Sequence, residues 1–136
     1  MNLTRLVLDV RDAGVPWRET RFPGVSWWPL HFDPAAGPES PATVLIRMEP
    51  GRGYPAHEHL DVEDVLVLQG GYADEFGDHR AGAYVRYPAG SRHAPVALGE
   101  PDRRPDAAHL PCILFAVARG GVRQLEGPSA SVRSRP

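Results

Sequence analysis

Apolar residues in this chain occur in short runs that end at glycine or proline. The run TVLIRME at residues 43–49 is rich in aliphatic and β-branched side chains, and Pro50 and Gly51 follow it, which is typical of a strand and a turn. The run DVLVLQ at residues 64–69 ends at a glycine pair, as in a hairpin. The pattern predicts strands at residues 3–10, 15–19, 25–33, 43–49, 64–69, 72–76, 83–87 and 112–118.

The spacing of these runs favours an all-β fold. No segment of about 10–15 residues shows the helical period of 3.6, and strands recur roughly every ten residues, as in sandwiches and barrels. Glycine (14) and proline (15) are abundant among the 136 residues and lie between the runs. We expect a single domain at residues 1–125, with a polar loop at 98–110 and a disordered tail at 126–136.

Charge and cysteine content narrow the functional classes. A net charge of −2 provides no basic surface for nucleic acid or for a membrane. The sequence has no lysine, which excludes Schiff-base chemistry, and its one cysteine, Cys112, excludes an internal disulfide and a cysteine-built zinc cluster. No apolar run reaches the length of a signal peptide or a membrane span, so we expect a cytoplasmic protein.

Three histidines and a glutamate form the main candidate site: His57, His59, Glu63 and His93. Residues i and i+2 of a strand project from the same face, about 6.6–6.8 Å apart. His57 and His59 could therefore reach one ion at metal–nitrogen distances of about 2.0–2.1 Å. Nitrogen and carboxylate ligands without thiolate suit iron, manganese, nickel, copper or zinc. We expect one divalent transition metal per chain.

Strand alternation separates these candidates from the neighbouring carboxylates. Glu58 lies between the two histidines of its segment and would face away from them, and Asp64 would face away from Glu63. Outward-facing apolar side chains on the same strand would need a covering segment or a second subunit, so we expect a homodimer. The residues expected to share the inward face of Glu63 are Val65, Val67 and Gln69, and those expected to face outward are Leu66 and Leu68.

The spacing of the candidate ligands resembles the two signature motifs of the cupin superfamily. The motifs read Gly51-x5-His57-x-His59-x3-Glu63-x6-Gly70 and Gly82-x5-Pro88-x-Gly90-x2-His93. One position differs, since cupins commonly carry Asn where this chain has Ala97. The resemblance covers roughly residues 43–117 and implies a small jelly-roll β-barrel, with the three histidines and the glutamate meeting at one metal inside its wider end.

Residues 57–95 have a narrower resemblance. They are similar to the cupin half of ChrR-type anti-sigma factors, in which three histidines and a glutamate are implied to hold zinc, and to small acetylacetone-cleaving dioxygenases. The anti-sigma half of such factors is a separate helical module with its own His and Cys zinc motif. This sequence has no counterpart of that motif, so we expect the sensing or catalytic half and no sigma-factor binding.

The resemblance leaves several functions open. With Fe2+, the site resembles that of non-haem oxygenases, which favours a dioxygenase that acts on a small ketone or diketone-like substrate, with Glu63 as a base. With Zn2+, the site could polarise a carbonyl or be structural, and the protein could be a non-enzymatic redox or ligand sensor. Mn2+ or Ni2+ would also fit these ligands. A metal-dependent isomerase or a sugar-binding cupin is a third alternative.

Further residues are candidates for the surroundings of the metal. We expect Arg47, Tyr54, Trp27 and Gln69 near a substrate pocket, with Arg47 either orienting an anionic substrate or lying on the surface. Cys112 precedes an apolar run and is expected in the core, with a redox-sensing thiol as the alternative. The histidines without partner spacing, expected on the surface or in loops, are His31, His79 and His109.

Overall fold

The computed structural model describes residues 9–10, 14–36, 40–125 and 132–133. In this part of the chain the elements are strands and a short 3-10 helix, Pro34–Ala36, and no helix is long and apolar enough to span a membrane. The fold is all-β, as predicted. In chain order the strands are β1 (Arg18–Glu19), β2 (Val25–Phe32), β3 (Ala42–Met48), β4 (His57–His59), β5 (Glu63–Gln69), β6 (Gly71–Asp74), β7 (Gly77–Arg80), β8 (Tyr84–Tyr87), β9 (Arg92–His93), β10 (Val96–Ala97), β11 (Cys112–Ala118), β12 (Val122–Gln124) and β13 (Val132–Arg133).

The largest sheet has six antiparallel strands in the order β1-β2-β3-β11-β5-β8. Its strand β11 has the sequence CILFAVA and pairs with β3 on one side and with β5 on the other. Its neighbouring residues Ile113 and Leu114 face opposite sides of the sheet and are both buried, in agreement with its continuous apolar sequence. The late strand β11 enters between two early strands, as in the Greek-key connections of a jelly roll.

Two smaller sheets, in the orders β10-β6-β7 and β13-β12-β4-β9, accompany the large one. The main hydrophobic cluster joins Val44 of β3 and Leu114 of β11 to Tyr72 of β6 and Ala97 of β10. Ala97, at the position where cupins commonly carry Asn, is 2% exposed. A small apolar side chain therefore packs into the core at that position.

Side-chain alternation along β5 follows the prediction over most of the strand. Val65 and Val67 are buried, while Leu66 is 38% exposed. The pairing of β5 with β11 then shifts register, so that Gln69 lies opposite Ile113 instead of continuing the alternation. Such a bulge adds one residue to one strand and reverses the face of the residues that follow it. The predicted inward orientation of Gln69 is therefore wrong.

The sequence pattern finds the long strands and misses the short ones. The strands predicted at 25–33, 43–49, 64–69, 72–76, 83–87 and 112–118 are present, with ends that differ by at most two residues, and the one predicted at 15–19 is reduced to Arg18–Glu19. The pattern of apolar runs misses β7, β9, β10 and β12, each of four residues or fewer, while β4 is anticipated through the placement of His57 and His59 on one strand. Most of the predicted strand at 3–10 and of the predicted tail at 126–136 lies outside the described residues, apart from the pair that forms β13.

Candidate metal centre

Strand β4 carries two of the predicted ligands. His57 and His59 are 6% and 1% exposed. Glu58, between them, faces the other side of the strand, where its Oε1 lies 2.8 Å from Arg92 Nε. His93, in β9, lies directly opposite His57 across the pair of strands. Alternation along β4 and its pairing with β9 therefore place the three imidazoles close together.

The three imidazoles lie close together, and Glu63 lies beside one of them. One ring nitrogen each from His57, His59 and His93 lie within 4.8 Å of one another. Glu63 begins β5, and its Oε2 lies 2.8 Å from His59 Nε2. Two atoms that bind one ion at about 2.0–2.2 Å lie at most about 4.4 Å apart, and the three nitrogen atoms are close to that limit. The three-histidine cluster could therefore hold a metal ion, with the glutamate beside it.

Two of the imidazoles are oriented by oxygen atoms that can only accept hydrogen bonds. His57 Nδ1 lies 2.9 Å from the carbonyl oxygen of Pro55. His93 Nδ1 lies 2.9 Å from Asp74 Oδ2. In each ring Nδ1 must carry the hydrogen, which leaves the Nε2 lone pair free to bind a metal.

The third imidazole is oriented in the same way. Ser91 donates its hydroxyl hydrogen to the carbonyl oxygen of Pro88 at 2.6 Å, so it accepts from His59 Nδ1 at 3.0 Å. In the neutral form of this ring, His59 Nε2 carries no hydrogen, and it is buried 2.8 Å from Oε2 of the Glu63 carboxylate. Two electron pairs this close repel each other unless a cation lies between them. This contact fits a bound metal.

Burial favours the neutral form of the His57 and His93 imidazoles. Burial and the neighbouring His93 ring lower the pKa of His57 to about 4. Burial also lowers the pKa of His93, against the opposing effect of its hydrogen bond to Asp74. Neutral imidazole is the form that binds a metal. At neutral pH both rings are therefore ready to bind without losing a proton.

Asp74, the last residue of β6, is fully buried and holds His93 in place. Its carboxylate also accepts hydrogen bonds from the Tyr87 hydroxyl at 2.5 Å and from His79 Nε2 at 2.9 Å. The Tyr87 hydroxyl is in turn 2.6 Å from the Tyr72 hydroxyl. Burial opposes ionisation of Asp74, but these hydrogen bonds outweigh it and lower the pKa to about 2. A charged carboxylate therefore faces His93 at every pH near neutrality.

The cluster borders a cavity of about 80 Å³. A water molecule needs about 10–15 Å³ on this scale, so the cavity has room for a small organic molecule. His57, Glu63 and His93 line it, together with the aromatic ring of Tyr54. The remaining walls are mostly apolar and include Ala42, Val44, Ile46, Val65, Leu114 and Val122.

Among the four residues predicted for a substrate pocket, the structure brings Tyr54 to this cavity and not the other three. Both chain neighbours of Arg47 line the cavity, so alternation turns Arg47 outward, where its Nη1 lies 2.5 Å from Glu49 Oε1. Trp27 packs against an aromatic neighbour, with ring centroids 6.0 Å apart. Gln69 donates to a loop carbonyl oxygen at 3.0 Å on the other side of the bulge. The assignments of Arg47, Trp27 and Gln69 are corrected accordingly.

The burial of Cys112 and of His109 can be compared with what the sequence predicted for them. Cys112 is 0% exposed and belongs to the hydrophobic cluster, which confirms the prediction of a core residue. His109 lies in the loop between β10 and β11, one of the two expected positions, but it is buried, at 7% exposed. Its Nε2 accepts a hydrogen bond from the backbone N–H of Glu100 at 2.8 Å, which ties together the two ends of the polar loop.

Sequence reasoning misses several polar residues around the cluster. Asp74 and Ser91 orient two of the imidazoles, and Gln124 lines the cavity from β12, opposite His57. The alternation of Tyr72 and Asp74 along β6 is the one local signal that could have found the carboxylate. Nothing in the sequence near Ser91 or Gln124 indicates which histidine each would approach.

Comparisons with known proteins agree with this geometry. The family model of the ChrR cupin-like domain matches residues 5–102. A search of curated proteins found no match. Among solved structures, the chain is similar to one in the complex of Rhodobacter sphaeroides SigE with the anti-sigma factor ChrR. That match has 28% identity and a TM-score of 0.63, and it covers 85% of this chain and 54% of the other. This chain thus spans about half the length of that relative.

Two enzymes share the fold at lower identity. An acetylacetone dioxygenase from Acinetobacter johnsonii is 14% identical, with a TM-score of 0.61 and coverage of 81% of this chain and 72% of the enzyme. The polyketide cyclase RemF from Streptomyces resistomycificus is 20% identical, with a TM-score of 0.60 and coverage of 94% and 84%. The two motifs, the jelly-roll topology and a family model that spans most of the sequence all agree, and the chain belongs to the ChrR cupin-like domain family.

Proposed function

We propose that this protein is a metal-dependent cupin dioxygenase that acts on a small ketone or diketone-like substrate. The observation that supports this most is that the cluster of His57, His93 and Glu63 borders a cavity with mostly apolar walls. A purely structural metal site is usually closed by protein ligands, whereas a catalytic one keeps access for a substrate. The combination of metal ligands and an apolar cavity favours chemistry on a small organic molecule.

Hydrogen bonds orient the three imidazole rings before any metal binds. Each imidazole is fixed through Nδ1 and presents Nε2, so little reorganisation is needed. Bound Fe2+ would supply a Lewis acid that polarises a carbonyl oxygen, together with reactivity toward dioxygen. The apolar walls exclude bulk water and hold the carbon skeleton of a ketone.

Glu63 is placed to handle a proton. Its Oε2 lies beside His59 and its side chain lines the cavity. A diketone is acidic at the carbon between its two carbonyl groups, and a carboxylate at this position could accept that proton. Glu63 would thereby convert the diketone into its more electron-rich enolate.

Oxygen uptake tests the proposal. The protein reconstituted with Fe2+ under anaerobic conditions is expected to consume dioxygen when acetylacetone is added, as measured with an oxygen electrode. His57→Ala should abolish the uptake, because it removes a buried ring of the cluster. His31→Ala is the matched control, since His31 is exposed and distant from the cluster along the chain. Absence of uptake by an iron-loaded protein with several diketones would reject the dioxygenase.

A second candidate is a non-enzymatic zinc-binding sensor. Membership of the ChrR cupin-like domain family and the 28% identity to a chain of the SigE–ChrR complex favour it. Elemental analysis of protein purified without added metal separates the two candidates. Tightly retained zinc, with no oxygen uptake after exchange for Fe2+, would favour the sensor.

A further inference from the structure

The cavity beside the cluster lacks cationic side chains. All 15 basic residues are arginines, and none is among the described residues that line the cavity. Arg47, whose two neighbours line it, turns to the other face of β3 and pairs with Glu49. The charged side chain in the lining is the carboxylate of Glu63. Apart from the metal, a ligand with free carboxylate or phosphate groups would meet apolar walls and the negative charge of Glu63, and no side chain of the lining would pair with its charge.

One hydroxyl group in the lining has no partner. Tyr54 lines the cavity, and its hydroxyl oxygen is buried without a hydrogen-bond partner in the described part of the chain. The other tyrosine of the lining, Tyr72, differs because its hydroxyl is already bonded to Tyr87 at 2.6 Å. Buried hydroxyl groups are normally satisfied, so an unpaired one beside a cavity indicates a place where a ligand atom completes the bond.

The position of Tyr54 is rigid. Its ring packs edge-to-face against Phe22 and His57, with centroids 5.3 Å and 6.1 Å away. Its backbone N–H donates to the carbonyl oxygen of Pro95 at 3.0 Å. The contact with His57 places the phenol next to the candidate metal ligands. A donor held this way can select among ligands, because it cannot move to follow a poor fit.

The phenol group of a tyrosine carries a hydrogen that it can donate to an oxygen atom of a ligand.

We propose that Tyr54 is a specificity-determining residue whose hydroxyl donates a hydrogen bond to an oxygen of the ligand, and that the cavity takes small, uncharged ligands with two carbonyl-type oxygens and an apolar skeleton. One oxygen atom of the ligand lies toward the metal ligands, and the Tyr54 hydroxyl donates a hydrogen bond to an oxygen atom of the same ligand. This inference rests on the proposed function for the location of the substrate, and it adds which residue recognises it and which charge class is admitted.

Ligand binding without turnover tests this inference. The full chain loaded with Zn2+, which has no redox chemistry, is titrated with acetylacetone by isothermal calorimetry after a metal titration has shown equal loading of all variants. Tyr54→Phe keeps the ring and its packing and removes only the hydroxyl. Tyr84→Phe is the matched control, because Tyr84 is 60% exposed on β8 and its hydroxyl bonds to Asp64 outside the cavity lining.

We expect Tyr54→Phe to raise the Kd for acetylacetone about three- to tenfold, the usual range for one hydrogen bond, and Tyr84→Phe to leave it unchanged. Malonate, which has the same spacing of oxygens but two negative charges, should bind the unmodified protein more weakly than acetylacetone. An equal Kd for the Tyr54→Phe variant and the unmodified protein, or tighter binding of malonate, would overturn the inference.

The experiments distinguish a failure of the proposed role of Tyr54 from a failure of the proposed dioxygenase reaction. Tyr54-dependent binding of acetylacetone without oxygen uptake by the iron form supports the recognition site and rejects the reaction. Oxygen uptake with a Kd that does not depend on Tyr54 supports the reaction and rejects the role of the phenol.

Discussion

His93 Nδ1 lies 2.9 Å from Oδ2 of Asp74, a carboxylate with no solvent-exposed surface. The two residues lie on different sheets, since Asp74 ends β6 and His93 ends β9. Their contact therefore fixes the relative position of the two smaller sheets as well as the orientation of one imidazole. A buried carboxylate behind a metal-binding histidine also makes its ring more basic and a better ligand.

Replacing Asp74 with Asn should weaken metal binding without removing any candidate ligand. Loss of such a partner typically costs about 10–100-fold in metal affinity. Competition with a chelating dye would measure the zinc affinity, and nitrogen-15 NMR of the metal-free protein would show whether His93 loses its preference for the Nδ1–H form. Asp78→Asn is the control, because Asp78 is an exposed residue of β7 whose carboxylate lies 3.9 Å from Arg80. An unchanged zinc affinity in Asp74→Asn would contradict the positioning role.

Metal binding should also stabilise the fold. A ligand that binds only the folded state at 100 times its Kd raises the free energy of unfolding by about 2.7 kcal/mol. We expect added zinc to raise the melting temperature and a chelator to reverse the increase, as followed by differential scanning fluorimetry. His59→Ala should lose the metal-dependent increase, since His59 is a buried member of the cluster, while His31→Ala should keep it. An equal increase in His59→Ala would place the metal elsewhere.

The candidate ligands His57 and His59 could be predicted from the sequence because their signal is local, whereas Glu63 and His93 are indicated by the resemblance to the cupin motifs. Two histidines at i and i+2 on one strand share a face whatever the rest of the fold does. The turn glycines are local too, since Gly51 and Gly70 have φ of 75° and 65° and Gly90 has φ of 87° in the turn before His93. Backbones in this region favour glycine.

The surroundings of the ligands could not be predicted in the same way. The outward orientation of Gln69 depends on a bulge in the pairing of β5 with β11, a strand more than forty residues later in the chain. Asp74 and Ser91 find their histidines across different strands. Such contacts depend on sheet order, which residue periodicity does not contain.

Cys112 should react slowly with thiol reagents in the folded protein. Burial raises its pKa to about 12, so near neutral pH the thiolate fraction is roughly three-thousandfold below that of a free cysteine with a pKa of about 8.5. Iodoacetamide labelling followed by mass spectrometry reports on this residue alone, because the chain has one cysteine. The rate should rise steadily with pH to above 9, whereas in urea it should level off near pH 8.5. Rapid labelling of the native protein at pH 7 would instead support a redox-sensing thiol.

Gly53 should tolerate no side chain, because a Cβ there would lie 1.9 Å from the carbonyl oxygen of Pro95. Its φ lies outside the left-handed region, so crowding and not backbone strain is the cause. Gly53→Ala must displace Pro95, which accepts the hydrogen bond of the Tyr54 N–H and lines the cavity. We expect a loss of about 2–3 kcal/mol in the free energy of unfolding, measured in urea, together with weaker acetylacetone binding.

Gly77→Ala is the comparison, because its φ is 124° and nothing lies within 4 Å of the added Cβ. Backbone strain there should cost about 1–2 kcal/mol and leave ligand binding unchanged. Equal ligand binding by Gly53→Ala and the unmodified protein would show that this turn does not position Tyr54.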